Sequence, residues 1–178
     1  MDNQQPTRLT ERDLAYMAGL FDGEGTIGIF KVQFKSKPAK TFRPVIQFVN
    51  TDLRLIAIFT NIAKALGCTY YIHADHKNHR LKKCYTVQIT RLHMQQSWLK
   101  TFIPFLVGKR EQAELQLAFV ERRMDLNANN ASVKDRKGKL ILGFGHAKHD
   151  EVDEEFYEKV RVLNRGGSET TRVPQSVH

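Results

Sequence analysis

The chain has 178 residues, with 28 Lys+Arg against 19 Asp+Glu, a formal charge of +9 and a sequence pI near 9.7. That length suits one compact domain, and 41% hydrophobic with 26% charged residues excludes a disordered polyelectrolyte. No apolar run reaches the roughly 18 to 20 residues of a membrane helix, the opening MDNQQPTRLTERD has no apolar signal core, and Cys68 and Cys84 form no CxxC pair; the expectation is an intracellular protein in a reducing compartment, with no membrane partner and no disulfide or zinc-ribbon scaffold.

Thr10, followed by Glu11, Asp13 and the apolar stripe Leu14, Met17, Ala18 and Phe21, predicts a capped helix of about twelve residues ended by Gly23 and Gly25. Residues 26–35 alternate, with Phe30, Val32 and Phe34 on one side and Lys31, Gln33 and Lys35 on the other, which predicts a half-buried strand with a basic face. After a turn at Ser36, Lys37 and Pro38, residues 41–50 place Phe42, Ile46 and Phe48 inward and Thr41, Arg43, Val45 and Gln47 outward, completing a hairpin. A helix over 52–66 follows, stopped by Gly67. Residues 69–75 and 82–91 predict a second hairpin around Asn78, with Tyr85, Val87 and Ile89 inward and Lys82, Cys84, Thr86 and Gln88 outward. Two helices, 93–106 and 109 to about 124, are separated by Pro104 and Gly108. Residues 127–149 show no period, and 150–164 predict a short acidic helix around Val152, Phe156, Val160 and Leu163. The resulting organisation is an N-terminal tail over 1–9, one domain over 10–164 and a loose tail over 165–178. Helix, hairpin, helix, hairpin, helices argues an α+β fold, a four-stranded antiparallel sheet covered on one face by helices and open on the other.

The positive charge concentrates on the hairpins. From Gly25 to Thr51 there is no acid among Lys31, Lys35, Lys37, Lys40 and Arg43; from His76 to Arg110 there is none among Lys77, Arg80, Lys82, Lys83, Arg91, Lys100, Lys109 and Arg110. A ten-residue strand spans about 33 Å, close to one turn of duplex, so the open face could follow a DNA groove over one half-site. Basic side chains such as Lys31, Lys35, Lys37, Arg80 and Lys82 suit phosphates, and Gln33, Arg43, Gln47 and Gln88 suit base edges in the major groove. His73, Asp75 and Thr86 complete the DNA-facing set on the second hairpin, where histidines flanked by Cys68 and Cys84 fit a DNA-side strand and turn better than a zinc site of unfamiliar spacing. Trp98, Phe102 and Phe105 fall at helical spacing and read as core.

The most unusual segment is LAYMAGLFDGEG, residues 14–25. Ala15, Gly19 and Gly23 leave one helix face nearly without side chains, beside the core stripe, and a symmetry mate would cover such a strip. Glu24 sits just past the helix C-terminus, where the dipole disfavours an anion, with Asp22 two residues before it. Two copies of Glu24 meeting at a two-fold axis resist joint ionisation unless a hard divalent cation such as Mg²⁺ intervenes. The spacing excludes an EF-hand, since Ile27 and Gln33 stand at the places of its glycine and closing glutamate.

LAYMAGLFDGEG resembles the signature helix of the LAGLIDADG homing endonucleases, and the likeness extends through the order of elements over roughly residues 10 to 125. The resemblance implies a saddle-shaped αββαββα sheet and, because one motif copy is present, a homodimer packed through Ala15, Gly19 and Gly23 on a long, near-palindromic double-stranded DNA site. It implies Glu24 as metal ligand, joined by the Gly23 carbonyl, and Lys109 in PFLVGKREQAEL as the lysine that organises water and stabilises phosphate charge. It also implies a polar residue ending the second strand, Asn50 or Thr51, at the nucleophilic water, and a further basic group at Arg54. The tail VRVLNRGGSETTR is similar to tails that touch the DNA backbone. Family members send Gly28, Phe30 and Val32 toward DNA, whereas polarity selects Lys31, Gln33 and Lys35; polarity is followed here, and a bulge near Gly28 would reconcile the two.

The implied activity is Mg²⁺-dependent hydrolysis of one phosphodiester in each strand across the minor groove, leaving 3′ overhangs, by an intron-encoded enzyme of a mitochondrion, chloroplast or nucleus. The alternatives on the same scaffold are an intron RNA maturase and a non-cleaving DNA-binding protein. An intein is disfavoured, because the chain has no N-terminal Cys or Ser nucleophile.

Overall fold

A computed structural model describes residues 9–33, 40–75, 83–130 and 148–166. Lys35, Lys37, Arg80 and Lys82, together with the two hairpin turns, most of 127–149 and the tail beyond Gly166, lie outside the described residues. In chain order the elements are α1 (Glu11–Glu24), β1 (Gly25–Gln33), β2 (Lys40–Asn50), α2 (Leu53–Ala65), β3 (Tyr71–Asp75), β4 (Cys84–Ile89), α3 (Leu92–Phe102), α4 (Arg110–Asn130) and α5 (Glu151–Gly166). The fold is the expected α+β arrangement, with strand order β1-β2-β4-β3 and every neighbouring pair antiparallel.

α1 begins as its sequence predicts. The Asp13 amide donates to Thr10 Oγ1 at 3.2 Å and the Thr10 amide to Asp13 Oδ2 at 3.0 Å, so each residue satisfies a donor of the other. The helix then runs through Gly23 to Glu24 and stops at Gly25, whose amide donates to the Phe21 carbonyl. A methyl group on Gly25 would sit 2.4 Å from Phe21 Cγ, so the junction from α1 to β1 exists because no side chain separates that backbone from the Phe21 ring. Gly67, with φ +69°, ends α2 in the left-handed region.

Phe21 anchors the main core. Its ring centroid lies 4.5 Å from that of Trp98, which in turn stacks on Phe102 at 4.3 Å, while Phe48 and Phe59 stack at 5.4 Å. Met17, Ala18, Ile27, Ile46, Val87 and Ile89 fill the same cluster, joining α1, α2 and α3 to one face of the sheet. Trp98 and Phe102 are thus core residues as expected, and Phe105 packs against them partly buried. Where β4 ends, the buried Gln95 amide donates to the carbonyls of Pro44 at 2.9 Å and Ile89 at 3.0 Å, and Gln116 donates to Gln95 Oε1. This ladder satisfies backbone acceptors that the sheet leaves open there.

β1 pairs with β2 without interruption, from Gly25 opposite Phe48 to Gln33 opposite Lys40, so the expected bulge near Gly28 is absent. Residues directly opposite share a face. Thr26, Gly28, Phe30 and Val32 therefore join Gln47, Val45, Arg43 and Thr41 on the open face, and Lys31 and Gln33 fall on the helix side opposite Phe42 and Lys40. The assignment of Lys31 and Gln33 to the DNA-facing side is corrected accordingly. Lys31 is held on the helix side because its ammonium pairs with Glu154 of α5 and lies 5.5 Å and 5.8 Å from the centres of the Tyr157 and Phe42 rings.

α5 continues the helical layer over a second cluster of Ile29, Phe42, Phe119 and Val160, with Phe156 and Tyr157 packed on it. Val152, expected on the apolar face, is instead 41% exposed. The first turn of α5 is docked by charge: fully buried Asp153 accepts from Arg122 Nη1 at 2.6 Å and Arg123 Nη1 at 3.1 Å and lies 2.7 Å from His149 Nδ1.

Gly25→Ala tests the α1–β1 junction. Because the added methyl overlaps the inner carbon of a fully buried ring, we expect a loss of about 1–3 kcal/mol in chemical denaturation at an unchanged m-value.

Candidate catalytic centre and nucleic-acid interface

Three chain segments meet at one end of the sheet. β1 starts opposite Phe48, so the C-terminal end of α1, with Gly23 and Glu24, lies beside the end of β2, with Asn50. The turn between α3 and α4 joins them through Asp22: its Oδ1 accepts the Lys109 amide and its Oδ2 the Val107 amide, each at 2.9 Å, and the Lys109 ammonium donates to the Asp22 carbonyl. Lys109 thereby stands among the oxygens of the α1 terminus. Burial holds its ammonium below the usual lysine value, while the negative charges of Asp22 and Glu24 act in the opposite direction. Sequence reasoning noted Asp22 without giving it a role; the available signal was a second carboxylate at a helix C-terminus, which needs a donor from elsewhere.

α1 presents two unlike faces. Met17, Ala18 and Phe21 are fully buried, whereas Ala15, Gly19 and Gly23 are exposed, and a Cβ at Gly19 or Gly23 would meet nothing within 4 Å. Glu24 is exposed at the end of this bare strip. As a donor set, its carboxylate and the Gly23 carbonyl, one of the last acceptors that a helix leaves without an internal partner, are hard oxygens that fit a Mg²⁺- or Ca²⁺-like cation. Among the described residues no cluster of three or more His, Cys, Asp or Glu side chains could hold a metal.

Of the two residues left open at the end of β2, Asn50 is half-buried and its Oδ1 accepts the Asp52 amide at 2.8 Å, while Thr51 is exposed. Asn50 keeps its amide N–H groups as donors. Asp52 caps α2 by accepting the Arg54 amide at 2.8 Å and also binds the Arg54 guanidinium through both carboxylate oxygens, with Oδ2 at 2.6 Å from Nη2. Arg54 is consequently held at the same edge, although strongly exposed.

The open face of the sheet carries Arg43 and Gln47 from β2, Thr86 and Gln88 from β4, and His73 from β3, and Asp75 shares their register opposite Cys84. Gln88 donates to Gln47 Oε1 at 2.8 Å, which fixes both amides side by side. Thr86, crowded by its cross-strand neighbours, is only 8% exposed. Two large side chains stand out from this face: Phe30, which the family pattern sends toward DNA, opposite Arg43 and 48% exposed, and Tyr71, not foreseen as a contact, opposite Gln88 and 73% exposed. Both offer apolar area of the kind that meets thymine methyl groups or bases.

The carboxyl of Asp52 is depressed from 3.8 to about 2, first by its hydrogen bonds from Arg54 and then by the Arg54 charge. A depressed carboxylate contributes stability that is complete above its ordinary value and is lost as pH falls through its folded value. An NMR titration should therefore place the Asp52 midpoint at about 2, with the α2 cap weakening between pH 3.8 and 2, and Arg54→Ala should raise that midpoint toward 3.8.

Comparison with known proteins agrees with this geometry. A family model described as a LAGLIDADG-like domain matches residues 11–101. Among solved structures, the homing endonuclease I-CvuI bound to the I-CreI target in the presence of Mg aligns with a TM-score of 0.54 at 20% identity, covering 85% of this chain and 98% of that one. The group I intron-encoded homing endonuclease I-CeuI complexed with DNA aligns at 0.56 and 9% identity, covering 79% and 76%. An archaeal intron-encoded homing endonuclease complexed with DNA aligns at 0.54 and 12%, covering 88% and 99%. No curated protein matches the sequence. With half of its residues matched by the family model and the motif helix, strand order and acidic helix end in the places described, the chain belongs to the family of LAGLIDADG-like domains and shares the fold of the LAGLIDADG homing endonucleases.

Proposed function

We propose that the protein is a homodimeric, site-specific double-strand DNA endonuclease that hydrolyses one phosphodiester in each strand across the minor groove and leaves 3′ overhangs. The observation that carries the reading is the placement of Glu24: exposed at the end of the bare strip of α1, with the partly buried Lys109 ammonium beside it. Two such strips packed about a two-fold axis bury Ala15, Gly19 and Gly23 and bring two copies of Glu24 together at one centre. The dimer joins two open sheet faces end to end, which suits a near-palindromic target. Nearly the whole of the I-CvuI chain is matched by this one, in keeping with a single structural unit per chain.

Glu24 and the Gly23 carbonyl are the residues that would hold a divalent cation, and the proposed cofactor is Mg²⁺. Such a cation, when bound, supplies Lewis-acid activation of water and neutralises charge at the leaving 3′ oxygen. The chain's own groups do the rest. Arg43, Gln47, Gln88, Phe30 and Tyr71 hold the duplex on the open face and read it, and Arg54 adds charge at its rim. Asn50, with Thr51 next to it, offers donors or acceptors to the attacking water at the end of β2, and the Lys109 ammonium offsets negative charge as it develops on the phosphate. The juxtaposition of Glu24 and Lys109 favours cleavage over a binding-only role, in which neither group is needed.

Selection of bound and cleaved duplexes from a randomised DNA library gives the test. We expect wild-type protein to cut its selected site in Mg²⁺ and only to bind it in Ca²⁺. Glu24→Gln should abolish cleavage and spare DNA binding. Undiminished cutting by Glu24→Gln, or preferential binding of structured intron RNA with no DNA cleavage by the wild type, would overturn the reading.

A further inference from the structure

We propose that Asp22 is the positioning residue for Lys109, a role that rests on the reading of Lys109 given above. Three hydrogen bonds carry it. Both carboxylate oxygens of Asp22 accept backbone amides across the α3–α4 turn, from Val107 and Lys109 at 2.9 Å each, and the Asp22 carbonyl accepts the Lys109 ammonium. Asp22 thus grips Lys109 at both ends, backbone and side chain, and fixes the direction in which the four-carbon stem can run. Gly108 lies between the two gripped amides, and a Cβ built there would contact Asp22 Cγ and Oδ1 at 3.7 Å, so the turn rests directly on the carboxylate.

On its α3 side the turn is anchored by the fully buried Leu106 and by the Arg110 guanidinium, which donates to the Leu106 and Pro104 carbonyls at 3.0 and 3.1 Å, whereas the stretch from Val107 to Lys109 rests on Asp22. Val107 is 85% exposed and adds no apolar anchor, and α4 begins only at Arg110. The Lys109 carbonyl accepts the Ala113 amide at 3.0 Å, which makes Lys109 the residue that opens α4. A carboxylate at the C-terminus of α1 is disfavoured by that helix's dipole, but here the same carboxylate lies against the N-terminus of α4, whose dipole and free amides favour it. Asp22 is therefore favoured where the two helix ends face each other, and it couples the lysine to the helix that carries Glu24. Displacement of a reacting group by about 1 Å can cost roughly 10²-fold in rate, so the grip acts on catalysis without touching DNA.

Single-turnover cleavage of the library-selected duplex by the full chain, with affinity measured separately in Ca²⁺, tests the assignment. Asp22→Ala should slow cleavage by about 10²-fold at unchanged affinity, Asp22→Asn, which keeps one acceptor, should recover part of that loss, and Asp22→Ala should add nothing in a Lys109→Ala background. Independently of activity, amide exchange at Val107 and Lys109 and amine labelling of Lys109 should quicken in Asp22→Asn, a variant that keeps the isosteric side chain if the alanine form does not fold. Wild-type cleavage and labelling in the Asp22 variants, or a loss of equal size in the Lys109→Ala background, overturns the positioning role. Full activity of Lys109→Ala alone would instead overturn the role given to the lysine.

Discussion

The rest of the structure depends on α1 having two faces that cannot exchange places. Met17, Ala18 and Phe21 are wholly inside the core, where Phe21 contacts Trp98, Phe48 and Phe59, so the rotation of the helix about its own axis is fixed. With that rotation fixed, Ala15, Gly19 and Gly23 must face outward, and Glu24 must emerge at the end of the strip. The contact of Gly25 with the Phe21 ring then sends the chain straight into β1, so core packing, sheet register and the position of the candidate catalytic acid follow from one aromatic side chain.

Charge is sorted by the same architecture. Three acids around the start of α5 are engaged by the rest of the protein: Asp153 is buried among Arg122, Arg123 and His149, Asp150, just before the helix, pairs with Arg122, and Glu154 pairs with Lys31 and lies 3.8 Å from Lys40. His149 accordingly has its pKa lowered, by burial first and then by the nearby Arg123 charge. These contacts keep the densest acidic segment of the sequence on the helix side. On the open face β1, β2 and β4 carry Arg43 and no described Asp or Glu side chain, and the acid in register with that face is Asp75 at the end of β3, so β1, β2 and β4 set no acid against a polyanion.

Much of this was legible from local patterns. The Thr10–Asp13 capping pair, the alternation of β2 and β4, and the aromatic spacing of α3 are short-range signals whose meaning does not change with context. Lys31 was misread because polarity on a strand is a guide to facing only when the helix layer offers no partner, and its partners, Glu154 and Tyr157, come from α5 more than a hundred residues later. Val152 was misread for a related reason: the inward position of that turn is taken by a charged residue, Asp153, whose burial depends on Arg122 and Arg123 of α4. Asp22 was visible as an oddly placed carboxylate, yet its function needs the turn at Val107 and Lys109 to be brought alongside, which no spacing within the motif discloses.

The central claim is that the bare strip of α1 is covered by a second copy of the chain, so that two Glu24 side chains share one centre. Sedimentation equilibrium of the protein on its selected duplex in Ca²⁺ measures this directly. The account predicts two chains per duplex, falling to one when Gly19 is replaced by a bulky leucine; a wild-type complex containing a single chain would contradict it.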